Sequence, residues 1–208
     1  MRLAIIGAGN VGTALGAGWS AKGHEVVYGV PDPQKPKYAA LPRGAVMRAA
    51  EAAKGAAAIV LATPWRVTEA AIRELGDLKG KIVIDCINPV AMSPEGVDLA
   101  LDPRTSAGEQ VAAWAAGASV FKTLNQTGAE NMATASRFDH RPVMFVAGDD
   151  AAAKPEVMRL VGDLGFEAVD AGPLRAARHL ERLAVLWIEL ALKRGQGHAF
   201  AFALARRS

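Results

Sequence analysis

The stretch that decides the fold is Arg2–Trp19, "RLAIIGAGNVGTALGAGW". After Arg2 the four residues Leu3–Ile6 are an unbroken apolar run, the pattern of a strand buried on both faces of a parallel sheet. "GAGNVG", Gly7–Gly12, follows at once. From Asn10 to Lys22 the spacing becomes helical, with Val11, Ala14, Leu15, Gly18 and Trp19 on one face. Gly23 ends that helix as a left-handed cap, and "HEVVYG", His24–Gly29, reads as a second strand. Strand, glycine-rich turn, helix and strand form the context in which this glycine pattern binds a dinucleotide. Gly7 permits the tight turn, Gly9 lets the backbone approach a pyrophosphate, and Gly12 lets helix and strand pack closely. The phosphates then sit on the free amides of the helix N-terminus.

Outward from this unit, strands and helices keep alternating. Strands are expected near Ala45–Arg48, at "AAIVLAT" (57–63), at Lys81–Cys86 and at "ASVFKT" (118–123). Helices are expected up to Lys54, over Arg66–Leu75 and over Ala107–Ala116. Pro31, Pro33, Pro36 and Pro42 make the segment between them a loop, because proline supplies no amide donor. Asn88–Ser106, with three prolines, reads as an extended loop. Beyond Thr123 come a polar turn, a strand at "RPVMFVAG" (141–148), a helix within Asp149–Leu164 and a short strand at "FEAVDAG" (166–172). Leu174–Leu204 reads as helix interrupted at Gly195–Gly197, and "LAVLWIELAL" (183–192) is apolar nearly all round, so it is buried on more than one side. In a chain this short a second subunit can supply the second burying surface. The expected fold class is α/β, a Rossmann-type doubly wound, mainly parallel sheet with a small C-terminal α-rich domain. The expected division is 1–148, dinucleotide-binding, and 149–208, a small domain supplying the acceptor cleft and a dimer contact.

The 208 residues carry 51% apolar and 22% charged residues and a net charge of +3. Lys and Arg are scattered, which argues against a nucleic-acid partner. No apolar run reaches the roughly 18–20 residues that span a bilayer. Cys86 is the one cysteine, so no internal disulfide forms, which fits a reducing compartment. With the first strand starting at Arg2, no signal peptide is expected, and the expected location is cytoplasmic. The four histidines show no metal-ligand spacing with Cys86, so no metal is expected. No nucleophile elbow is present. No strand-end Lys or His has an evident general-acid partner. A reaction that only aligns two rings for hydride transfer needs no such groups, because the cofactor carries the chemistry.

Ligands of open α/β sheets bind outside the carboxyl ends of the strands. Three segments stand there. "ATPW", Ala62–Trp65, brings Thr63, Pro64 and a Trp that either stacks on a ring or serves a core or interface. "DCINP", Asp85–Pro89, brings Ile87 and Asn88, the latter either holding a carboxamide or ribose or capping its own turn. "FKTLNQTGAE", Phe121–Glu130, brings Lys122, Thr123, Asn125, Gln126 and Thr127. That density of polar side chains suits recognition of the nicotinamide or a polar second ligand, with Lys122 either part of that set or simply solvated. The nicotinamide selects no phosphate, and "GVPDP", Gly29–Pro33, is where the 2′-position is read. Asp32 stands near the spacing of an NAD-type acid, about 20 residues past the loop, while Lys35 and Lys37 can hold a phosphate as point charges.

The sequence resembles the F420-dependent NADP oxidoreductases and the related bacterial NADPH-dependent F420 reductases over its whole length. The resemblance rests on "MRLAIIGAGNVG", "GHEVVYG", "ATPW", "DCINP", "KTLNQTGAENMA" and "DAGPLRAARHLE", in that order. It implies a Rossmann domain with a small C-terminal domain, a homodimer, and hydride passage between the nicotinamide C4 and a deazaflavin (F420) or flavin ring. By position it places Ala8, Gly9, Asn10 and Val11 on the phosphates, and Val30, Pro31 and Lys35 on the 2′-phosphate. It places Thr63, Val67 and Ile87 at the nicotinamide, with the Asn125–Gln126 turn nearby. The family pattern reads "GVRDP" where this chain reads "GVPDP", so Pro31 removes a guanidinium that would grip the 2′-phosphate bidentately. NADP is the expected cofactor and NAD the alternative. Two other functions fit the sequence: a reductase of a small imine or carbonyl compound, and a non-enzymatic NADP-binding redox sensor.

Overall fold

The computed structural model describes residues 1–41 and 44–207; Pro42 therefore lies outside the described residues. Among the described residues ten strands and seven α-helices follow in order. The first half comprises β1 (Arg2–Ile6), α1 (Asn10–Ala21), β2 (Glu25–Gly29), β3 (Gly44–Met47), α2 (Ala49–Ala53), β4 (Ala58–Leu61), α3 (Trp65–Glu74) and β5 (Ile82–Asp85). After a hairpin of β6 (Val90–Met92) and β7 (Val97–Leu99) come α4 (Ala107–Trp114), β8 (Ser119–Lys122), α5 (Ala129–Met132) and β9 (Val143–Gly148). The chain continues through α6 (Lys154–Asp163), β10 (Glu167–Asp170) and α7 (Ala177–Leu192).

Eight strands form one sheet in the order β10-β9-β8-β5-β4-β1-β2-β3. Every neighbouring pair is parallel except β8 with β9. The chain winds from β1 outward to β3, then returns to the other side of β1 as β4. The crevice between β1 and β4 is thus the switch point where such sheets bind ligands. The sheet is the expected doubly wound one. It runs on across residue 148, since β10 pairs with β9 and the helix before it packs against the first one. There the Trp19 indole of α1 donates to the Leu160 carbonyl of α6 at 2.9 Å.

Alternation along β1 sorts the core into two layers. Leu3 and Ile5 face Leu15, Trp19, Leu160 and Phe166. Ala4 and Ile6 face Val27, Ile59, Leu61, Ile72 and Val111. Both layers are fully closed, so strands β1 and β4 read as unbroken apolar runs.

Two expectations are corrected. Asn88–Ser106 is not all loop: β6 and β7 pair antiparallel within it, Val90 opposite Leu99, with Gly96 in the turn at φ 152°. The run "VAM" is too short to announce a strand, and its partner supplies the stability. Leu174–Leu204 is not one interrupted helix either. Its helix stops at Leu192, and Gly195 and Gly197, at φ 73° and 67°, turn the chain back. The tail returns extended to the sheet, where the Val143 amide donates to Phe202 O at 2.8 Å. Phe200 stacks on Trp187 with centroids 5.1 Å apart, and Asn131 donates to the carbonyls of His198 and Phe200. Covering Trp187 outweighs continuing a helix through two glycines.

Candidate nucleotide-binding site

The turn between β1 and α1 is shaped by glycines that have no room for a side chain. Gly7 has φ 105°, and a Cβ there would meet the Ala62 carbonyl oxygen at 2.5 Å. At Gly12 a Cβ would meet the Gly7 oxygen at 2.1 Å. Gly9 differs. Nothing lies within 4 Å of its missing Cβ, and its backbone, φ −87° and ψ −168°, is open to any residue. The space above Gly9 is open. α1 begins there with no side-chain cap and no acid in its first turn. Its leading amides are unsatisfied donors beside the positive end of a 12-residue helix, an anion site by geometry and charge.

A cleft of about 600 Å³ opens over this turn, within the usual size of a cofactor pocket. Of the residues expected to contact a cofactor, it gathers Ala8, Gly9, Asn10, Val11, Val30, Pro31, Thr63, Pro64 and Val67. Lys37 and Tyr38 complete the wall at the end remote from Thr63. A narrower extension of about 250 Å³ runs between α2 and α3, past Ala49, Ala70 and Glu74. The Thr63 hydroxyl is held by the Thr68 hydroxyl at 2.9 Å.

The remaining expected residues lie elsewhere. Lys35 is exposed beside the cleft. Asp32, also exposed, turns its carboxylate inward on its own loop and accepts the Gln34 amide at 3.1 Å, an Asx turn. Ile87 is buried. Asn88, Asn125 and Gln126 are bound to one another. Asn88 Nδ2 donates to Asn125 O at 2.7 Å and Asn125 Nδ2 returns to Asn88 Oδ1 at 3.0 Å. Gln126 pairs both ways with the Phe145 backbone. These amides splice β5, β8 and β9 at their ends. Trp65 stacks on Trp114, 5.2 Å between centroids, which joins α3 to α4 and takes that face of the indole out of reach of a ligand.

Lys122 is the largest departure from expectation. It is not solvated but 0% exposed. Its ammonium lies 3.0 Å from Asp85 Oδ2 and 3.0 Å from Glu181 Oε1, both carboxylates equally buried, and it also donates to the Ile87 carbonyl. Asp85 Oδ1 accepts the Ile87 amide at 2.9 Å. Glu181 accepts the Ala107 and Gly108 amides at 3.0 and 3.1 Å, the first amides of α4. Burial pulls the Lys122 pKa down, but the charges and hydrogen bonds of Asp85 and Glu181 outweigh it, and the net shift is upward. Beside it the Cys86 thiol is pushed well up by burial and by the Asp85 charge, against a smaller pull from Lys122. No spacing rule connects Asp85, Lys122 and Glu181. The signal available in sequence was a charge at the end of each of two apolar strands, where parallel neighbours face each other.

Helix-bound phosphate loop, switch-point cleft and doubly wound sheet together define a Rossmann-type dinucleotide-binding protein. Residues 2–89 match the family model described as NADP oxidoreductase, coenzyme F420-dependent. A crystal structure from Arthrobacter sp. FB24, described as a candidate F420-dependent NADP-reductase, is 34% identical, with 99% of this chain and 100% of that one covered and a TM-score of 0.88. The chain belongs to the family of F420-dependent NADP oxidoreductases, and its class is NADP-linked oxidoreduction. The metalloreductase STEAP3 of Rattus norvegicus is 26% identical over 88% of this chain. The match takes in 36% of that relative, so the chain spans about a third of its length. An imine reductase of Myxococcus stipitatus in complex with NADP+ shares the fold at 16% identity, covering 96% of this chain and 68% of its own, with a TM-score of 0.66. Among the described residues no helix is long and apolar enough to cross a membrane.

Proposed function

We propose that the protein transfers hydride between NADPH and a deazaflavin (F420) or flavin-like acceptor. The observation that carries this is the open space over Gly9 at an uncapped helix N-terminus, continuous with a cleft that reaches the ends of β1 and β4. In this reading Ala8, Gly9, Asn10 and Val11 bind the pyrophosphate, Val30, Pro31 and Lys35 flank the adenosine ribose, and Thr63, Pro64 and Val67 form the bed of the nicotinamide, with Ile87 buried outside the cleft wall. The bound cofactor supplies hydride from its nicotinamide C4. The chain supplies position: Thr68 fixes Thr63, and Asp85 and Lys122 fix the Ile87 peptide from both its amide and its carbonyl. Asn88, Asn125 and Gln126 act one layer further out, by holding the strand ends in register. Among the described residues, Lys37 is the one charged side chain lining the larger cleft. That favours a reaction whose proton comes from solvent rather than from a side chain. The Asx turn of Asp32 favours NADP over NAD, since its carboxylate already serves its own loop.

The same reading takes 149–208 as the part that frames the acceptor, and the chain as a cytoplasmic homodimer. α7 supports the dimer, because it presents Leu186 and Leu192 half exposed, and its Leu180 and Leu183 line a hollow with Phe145 and Ala176 whose rim also holds Asp170 and His179.

The test follows NADPH absorbance with F420, FMN, riboflavin, and a panel of cyclic imines and small carbonyl compounds. Turnover with F420 or a flavin is the expected result. Turnover with imines alone replaces this reading by an imine reductase. NADPH binding without turnover on any acceptor replaces it by a sensor.

A further inference from the structure

The loop after β2 lacks the arginine that would grip a 2′-phosphate, yet a guanidinium reaches the same place from the next strand. Arg48 follows β3 directly, and β3 lies beside β2 with Met47 in register with Gly29. The Arg48 side chain crosses back to residue 31 and donates from Nη1 to the Pro31 carbonyl at 3.3 Å. A guanidinium has five donors; among the described residues its one hydrogen bond is this one to Pro31, and Arg48 is exposed. Pro31 borders both the main cleft and its extension. Lys37 lines the same wall, its ammonium 4.9 Å from the centre of the Tyr38 ring, and exposed Lys35 flanks it. The acids nearby are already engaged: Asp32 by the Gln34 amide, and Glu51 by the Arg48 amide at 3.4 Å.

We propose that Arg48 is the residue that selects NADP, taking over from the other side of the loop the contact that Pro31 forfeits. Pro31 contributes its carbonyl, which anchors the guanidinium and aims its remaining donors at the 2′-phosphate, and Lys35 and Lys37 add point charges. A planar guanidinium matches phosphate bidentately, which neither lysine can do. The proposal rests on the NADP reading above.

The test is calorimetric titration of the full chain with 2′,5′-ADP, 5′-AMP, NADPH and NADH. Arg48→Gln is expected to weaken 2′,5′-ADP and NADPH about tenfold or more, the scale of a lost charge-assisted contact, and to leave 5′-AMP and NADH within about twofold of wild type. Arg48→Lys should recover part of the loss. Adding Pro31→Arg to Arg48→Gln should recover most of it by restoring the guanidinium from β2. Equal losses on phosphorylated and unphosphorylated ligands, or no loss at all, overturn the proposal while leaving nucleotide binding intact. If wild type binds neither NADPH nor NADH, the nucleotide reading itself falls, and Arg48 with it.

Discussion

Two sets of strand ends in the one sheet handle charge in opposite ways. Over the β1–α1 turn the protein leaves donors unsatisfied, space unfilled and a cationic rim exposed. At the ends of β5 and β8 it seals three charges completely, with every carboxylate oxygen of Asp85 and Glu181 accepting a hydrogen bond or facing Lys122. The first arrangement suits an external anion, as the proposed nucleotide site requires. The second serves the fold: it joins α4 and α7 to the sheet and clamps the peptide of Ile87. Polar residues at strand ends thus divide into those awaiting a partner and those already provided with one, and residue type alone does not separate them.

Breaking the sealed end should have the largest effect. Lys122→Met leaves two buried carboxylates facing each other without a cation, and a loss of about 3–5 kcal/mol is expected. Urea unfolding measures it, and a loss below about 1 kcal/mol would mean that the site is wet. Glu181→Gln keeps the Asp85–Lys122 pair and should cost less. At the open end, Gly12→Ala should destabilise by about 1–3 kcal/mol through overpacking, because its Cβ has no place between Gly7 and Ile5. Gly9→Val, three residues earlier, should change stability by no more than about 0.5 kcal/mol, as a change outside the packed core, while blocking the ligand.

The pH dependence sharpens the same contrast. The pKa of Lys122 is raised on folding, so its contribution is fully present below its unfolded value of about 10.4. It is lost only as pH rises through the higher folded value. Unfolding free energy should therefore show no Lys122-linked fall between about pH 6 and 9, which denaturant titrations across that range would reveal. Glu109 behaves in the opposite sense. The Arg178 hydrogen bond holds its carboxyl below the usual range, so its contribution is present above about pH 4.3 and fades as pH falls through the lower folded value. The smallest effect concerns Cys86. Buried with its thiol held protonated, it should resist an aromatic disulfide reagent in the native state and react on unfolding.

Much of this was legible in the sequence because local patterns and global fold agree. β1, the phosphate turn, α1 and the parallel strands stand where the apolar runs and glycines put them. Nine cleft residues could be named because a glycine motif and strand-end positions fix backbone location. What could not be read were contacts between elements far apart in the chain. Asn125 and Gln126 look like ligand-binding amides until their partners Asn88 and Phe145 are in place. Lys122 looks solvated until Asp85 and Glu181, 37 and 59 residues away, close over it. Arg48 carries no local signal, because its relation to Pro31 depends on β3 pairing beside β2. The hairpin at Val90–Leu99 and the returning tail have the same cause: each is stabilised by a partner strand or by Trp187, not by its own propensity.

If the space over Gly9 serves a nucleotide and not the fold, filling it removes binding and leaves stability alone. Thermal unfolding of wild type and Gly9→Val, each with and without saturating NADPH, separates the two roles. Melting temperatures should be equal without ligand, and NADPH should raise that of wild type only. An equal NADPH-induced rise in both proteins would place the nucleotide elsewhere and overturn the proposed site.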